Sequence, residues 1–177
     1  GGPKLPKVET HTLAPPLKQA VFDLETFSLD RGWGVLMVGS ILVHGEGPEP
    51  KLYTYDLTES STWPSKRSED GELAAKIIAK LSECHVAYAH NGGSYDVPWL
   101  NSIALKYGLP PLNIKLIDPV QVARKKYRIG SNSLGSLAAF LNLEEQKMPV
   151  PPDTWRFALM NNDKDAWAIL RDRCESD

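Results

Sequence analysis

Apolar and polar positions alternate in two regimes, with strand-like runs first and helical spacing later. Gln19-Ala-Val-Phe-Asp-Leu-Glu25 carries apolar residues on both faces and predicts a short strand. Val35-Leu-Met-Val-Gly-Ser-Ile-Leu-Val-His44 is a long apolar run suited to a central strand. Gly45 to Pro48 predicts a turn, and Leu52-Tyr-Thr-Tyr-Asp-Leu57 alternates as a third strand. These three form an antiparallel meander. After a polar loop over 58–68, apolar residues at 73, 74, 77, 78 and 81 line one face of a helix from Glu69 to Leu81. Val86-Ala-Tyr-Ala-His90 predicts a short buried strand. A Gly92-Gly93 turn then leads to a helix from about Tyr95 to Tyr107, stopped by Gly108 and Pro110. Ile114 to Asp118 is the last strand, with Pro119 in the first turn of the next helix. Helices follow at Ser133–Leu141, Pro152–Met160 and from Lys164 onward, with Ser133, Asp153 and Asp163 as N-caps. The order β-β-β-α-β-α-β-α joins an antiparallel meander to parallel crossovers, which requires a mixed sheet covered by helices.

The chain has 177 residues, about one domain's length. The first 17 residues contain four prolines and predict a flexible arm, leaving 18–177 as the single domain. No apolar run approaches the roughly 18 residues of a membrane span, and the start lacks an apolar signal region. The expected location is therefore cytoplasmic, with no membrane contact. Two cysteines, Cys84 and Cys174, cannot form a disulfide framework and read as idle thiols. A net charge of −2 argues against binding nucleic acid by bulk charge alone. An acidic metal site would lower net charge while its ions restore positive potential locally, so nucleic acid remains open.

Three clusters could carry chemistry. Asp23 and Glu25 stand at i and i+2 of a strand, on one face, about 6–7 Å apart. Two carboxylates there repel unless a cation sits between them; the alternative is a strand end emerging into solvent. Ala89-His-Asn-Gly-Gly-Ser-Tyr-Asp-Val-Pro-Trp-Leu100 turns from a strand into a helix and delivers Asp96 at its opening, where ligands of such sheets collect. Taken alone, Asp96 reads as a helix cap and His90 as a core histidine. The third cluster is Asp177 in Arg171-Asp-Arg-Cys-Glu-Ser-Asp177, which alone reads as a charged helix face.

In this order and spacing, Phe22-Asp-Leu-Glu-Thr26, the Ala89–Leu100 segment and Arg173-Cys-Glu-Ser-Asp177 resemble the three exonuclease motifs of the DEDD (DnaQ-like) superfamily. The closest resemblance is to stand-alone and phage exonucleases similar to the proofreading domain of family B DNA polymerases. Ser131–Leu143 resembles the helix before the third motif, and Lys147 and Trp155 fall where this group often has a lysine and an aromatic. The resemblance covers roughly residues 18–177. It implies an α/β, ribonuclease H-like mixed sheet with helices on both faces, and a 3′→5′ exonuclease releasing nucleoside monophosphates from single-stranded 3′ ends. The implied cofactors are two Mg²⁺ or Mn²⁺ ions held by Asp23, Glu25, Asp96 and Asp177, all-oxygen ligands suited to hard cations. The implied partners are single-stranded DNA, with RNA as the alternative, and replication or polymerase machinery in a bacterial or phage-infected cell.

Candidate substrate contacts are Thr26, Phe27, His90, Asn91, Tyr95, Lys147 and Arg173; the resemblance supports Lys147, and fixing the glycine turn is the alternative role of His90 and Asn91. Trp33 and Phe27 could stack on a base, with core packing as the alternative for Phe27. Ala123-Arg-Lys-Lys-Tyr-Arg128 offers either cations beside a tyrosine for a nucleic acid or a solvated helix end. Asp118 reads as a helix cap or as a support for the site. In two respects the chain departs from the pattern. Arg173 stands where the superfamily has a Tyr or His, and a guanidinium cannot deprotonate at ordinary pH. The final helix stops at Asp177, where the family continues, so a truncated fourth ligand and a catalytically weakened binding module are the expected alternative.

Overall fold

The computed structural model describes residues 16–29, 33–143 and 149–177. Lys147 and the side chain of Trp33 lie outside the described residues, as does most of the proline-rich arm.

A long antiparallel hairpin of β1 (Gln19–Leu29) and β2 (Trp33–His44) forms the middle of a five-stranded sheet. Pairing reaches beyond the strand ends predicted at Glu25 and Val35, because a register shift between Glu25 and Thr26 lets Thr26–Leu29 keep bonding to β2. β3 (Lys51–Asp56) adds antiparallel to β2. β4 (Val86–Tyr88) and β5 (Lys115–Ile117) add in parallel on the other side, giving the order β3-β2-β1-β4-β5. The expected mixed sheet is the one observed.

Helices α1 (Gly71–Ser82), α2 (Asp96–Tyr107), α3 (Pro119–Lys126), α4 (Leu134–Phe140), α5 (Thr154–Asn161) and α6 (Lys164–Ser176) complete the domain. The five apolar positions read from the spacing of α1 are all buried in the core. Buried Asp70 fastens the start of α1 to the sheet, its Oδ2 accepting the Leu36 amide at 3.0 Å. Ser133 and Asp163 cap their helices through side-chain oxygens, as expected; Asp153 holds the cap position of α5 without such a bond. On the other face α6 lies against the hairpin, with Trp167 buried and edge-on to Trp63 at 5.4 Å. No described helix is long and apolar enough to cross a membrane.

Candidate metal centre

The cleft opens where β1 and β4 part. They pair only along Gln19–Val21, after which β1 runs on and the chain beyond Tyr88 turns away. His90 therefore lies in the turn, past the strand end predicted for it. Asp23 and Glu25 sit on the stretch of β1 beyond this split, with buried Leu24 between them. Glu25 is 7% exposed, so it is an interior carboxylate and not a surface acid. The Cys174 thiol donates to the Asp23 carbonyl at 3.3 Å, locking α6 onto β1; burial pushes that thiol well above its ordinary pKa. This contact brings Asp177 to the cleft. A ligand oxygen from each of Asp23, Glu25 and Asp177 lies within 4.8 Å of the others.

Asp96 arrives from the opposite wall, and the turn before it explains how. Asn91 takes φ 61°, a left-handed conformation that asparagine tolerates. At Gly92 a Cβ would stand 2.4 Å from the Ala89 Cβ, so only glycine fits. The carboxylate of Asp118 organises the loop: Oδ1 accepts the amides of Asn91 (2.9 Å) and Val120 (3.0 Å), and Oδ2 that of Gly93 (3.4 Å). One residue thus both caps α3 and fastens the turn. Asp96 is then the first residue of α2, not its cap; it is 3% exposed and faces the same cleft of about 250 Å³. Burial raises its carboxyl to about 6; the charges of Asp118 and Glu25 add to the rise, while its own amide and that of Leu24 oppose it. Its Oδ1 is buried with no hydrogen-bond partner among the described residues.

Glu25 is raised as well, first by burial and further by Asp177. Against that, Trp155 Nε1 donates to its Oε2 at 2.9 Å and Arg173 Nε to its Oε1 at 2.7 Å. The Arg173 guanidinium also lies 5.3 Å from the Trp155 ring centre, in cation–π range. Three carboxylates converging within 4.8 Å, and a fourth with an orphaned buried oxygen on the same cleft, fit a hard divalent cation.

The other predicted residues fall in different places. Thr26, His90, Asn91, Tyr95 and Arg173 line this cleft. Thr26 Oγ1 and Tyr95 Oη are 2.5 Å apart, a short hydrogen bond joining β1 to the turn. Phe27 packs in part against the core. The cations of 124–128 are exposed at the far end of α3. Tyr95 also borders a larger cleft of about 560 Å³ with Trp99, whose rings are 6.2 Å apart. Spacing could not reveal the grip of Trp155 on Glu25, 130 positions away.

A sequence model of the RNase_H superfamily (RNase_H_2) matches residues 20–154. The chain belongs to the RNase_H superfamily. The superfamily match reaches the Asp23, Glu25 and Asp96 positions, whereas Trp155, Arg173 and Asp177 lie beyond it and join the site through the fold. The chain is also 30% identical over 82 residues to "DNA polymerase III PolC-type" of Ureaplasma parvum serovar 3, covering 46% of this chain and 6% of that protein. Among solved structures, it shares its fold with the family B DNA polymerase of the hyperthermophilic archaeon Pyrobaculum calidifontis. The TM-score is 0.63 at 14% identity, over 92% of this chain and 24% of the polymerase. Both relatives are thus far longer than the chain.

Proposed function

We propose that this chain is a divalent-metal-dependent 3′→5′ exonuclease acting on single-stranded 3′ ends, DNA first and RNA as the alternative. The observation that carries the reading is the convergence of Asp23, Glu25, Asp96 and Asp177 on one cleft at the carboxyl end of a parallel strand pair. The four carboxylates would hold two Mg²⁺ or Mn²⁺ ions. When bound, such ions lower the pKa of an attacking water and stabilise the leaving 3′-oxygen. The residues of the chain supply the rest. Trp155 and Arg173 hold Glu25 by one oxygen each, and Asp118 fixes the turn that presents Asp96. Tyr95 and Trp99 offer aromatic faces beside the cleft on which bases of a single strand can stack. Position 173 has no group able to take a proton from water, so activation of the water would rest on the bound metal. The likeness to polymerases supports a working context in replication or repair, either free or within a longer polypeptide.

One observation favours a second reading, a nucleic-acid-binding module with weakened catalysis: Arg173 is engaged with a would-be ligand, Glu25. Both readings meet in one assay. A 5′-end-labelled single strand, as DNA and as RNA, is incubated with Mg²⁺, Mn²⁺ or chelator. The exonuclease shortens it stepwise from the 3′ end, leaves a circular strand intact and is silent after Asp23→Ala. Binding without shortening in Mn²⁺ supports the module. Cleavage that survives the substitution or the chelator refutes the metal-dependent reading.

A further inference from the structure

Glu25 is clasped at both oxygens by N–H donors: the Arg173 Nε–H at 2.7 Å and the Trp155 indole at 2.9 Å. Arg173 is itself pinned, with its side chain 15% exposed and its guanidinium over the Trp155 ring. The carboxylates of Asp23, Glu25 and Asp177 lie within 4.8 Å of one another, so their mutual repulsion calls for positive charge. Arg173 brings such charge on an arm of α6, the helix that also carries Asp177.

We propose that Arg173 is a tethered cation standing in for a metal ion against Glu25, so that loading of the site requires Arg173 to give up this pair. The inference rests on the metal reading of the cleft. A guanidinium and a divalent ion on the same buried carboxylate repel each other, because the cleft screens charge less than water does. The two occupancies therefore compete. The superfamily resemblance puts a Tyr or His at this position, and neither side chain brings a permanent positive charge. In this chain the site keeps an internal counter-ion when metal is scarce and takes up ions less tightly in exchange. Arg173 acts here as a positioning residue, through Glu25.

Calorimetric titration with MnCl₂, on the wild type and on Arg173→Gln and Arg173→Lys, provides the test. Removing the charge makes Mn²⁺ binding tighter by at least about tenfold, while lysine, which keeps the charge, stays within about threefold of the wild type. Equal or weaker binding by Arg173→Gln overturns the proposal and makes Arg173 a fixed support for Glu25. A second measurement needs no change at Arg173. Titrating the wild type with diamagnetic Mg²⁺ changes tryptophan emission as the guanidinium leaves the Trp155 ring, and Trp155→Phe abolishes that change. Mg²⁺ binding seen as heat with no Trp155-dependent signal also overturns it. If neither the wild type nor any variant binds an ion more tightly than Asp23→Ala does, the metal reading itself fails, a result distinct from equal binding by wild type and Arg173→Gln.

Discussion

Replacing Asp118 separates the scaffold of the site from its ligands. In Asp118→Ala three amides lose their acceptor at once: Asn91 at 2.9 Å, Val120 at 3.0 Å and Gly93 at 3.4 Å. Loss of the α3 cap costs about 1 kcal/mol. The charge-assisted bond from Asn91 is worth about 1.5–2 kcal/mol. Gly93 is exposed and its bond is long, so water replaces it at about 0.5 kcal/mol or less. Relief of the buried charge of Asp118, itself 8% exposed, returns about 1 kcal/mol. The net is about 1.5–2.5 kcal/mol, which in a domain of this length lowers Tm by about 3–10 °C. Asp118→Asn keeps one carbonyl oxygen for Asn91 and Val120 and loses about 1 kcal/mol. Melting followed by circular dichroism gives the stability, and hydrogen exchange locates the damage at the amides of Asn91 and Gly93. Because the turn presents Asp96, cleavage falls by roughly tenfold to a hundredfold with all four carboxylates still present. A variant that melts within 1 °C of the wild type, with unchanged exchange at those amides, refutes the role given to Asp118.

Gly92→Ala destabilises by about 1–3 kcal/mol in chemical denaturation, because the new Cβ meets Ala89 at 2.4 Å and neither group can swing aside. Gly93→Ala, whose nearest neighbours are 3.5 and 3.6 Å away, stays within about 0.5 kcal/mol. Asp96→Asn removes an ionised carboxyl that burial has raised to about 6. Without metal it therefore melts higher than the wild type at pH 7.5, by up to about 3 kcal/mol of stability, while losing both cleavage and the stabilisation conferred by Mn²⁺. Glu46 accepts hydrogen bonds from Lys80 at 2.7 Å and Tyr53 at 2.6 Å, and Lys80 first of all holds its carboxyl down at about 2. The folded state then binds fewer protons than the unfolded chain, so this stabilisation is full above about 4.5 and drains away as pH falls through about 2. Glu46→Gln accordingly melts below the wild type at pH 6, and the gap closes in melts taken from pH 4.5 down to 2.

Local pattern made much of this fold legible. The buried face of α1 followed from 3.6-residue spacing alone, and the parallel half of the sheet followed from alternating strands and helices. The end of β1 did not, because continued pairing past Glu25 depends on a register shift set by β2. In the site, the shared face of Asp23 and Glu25 was readable from a strand's period of two. The burial of Glu25 was not, since it comes from α5 and α6 closing over this stretch of β1 through Trp155 and Cys174. The glycine pair announced a turn, yet the left-handed residue is Asn91 and the one indispensable glycine is Gly92. Asp118 is at once a helix cap and a support of the turn that carries Asp96, because its Oδ1 accepts the Val120 amide of α3 and the Asn91 amide of the turn while Oδ2 takes that of Gly93.

The central claim is that Asp23, Glu25 and Asp177, with Asp96 across the cleft, form a cation site. Anomalous diffraction from crystals soaked in MnCl₂ tests it most directly. The account predicts a manganese peak about 2–2.3 Å from oxygens of Asp23 and of at least one of the other three carboxylates, absent in Asp23→Ala. A wild-type map with no peak in this cleft, or with manganese only on surface carboxylates elsewhere, contradicts it.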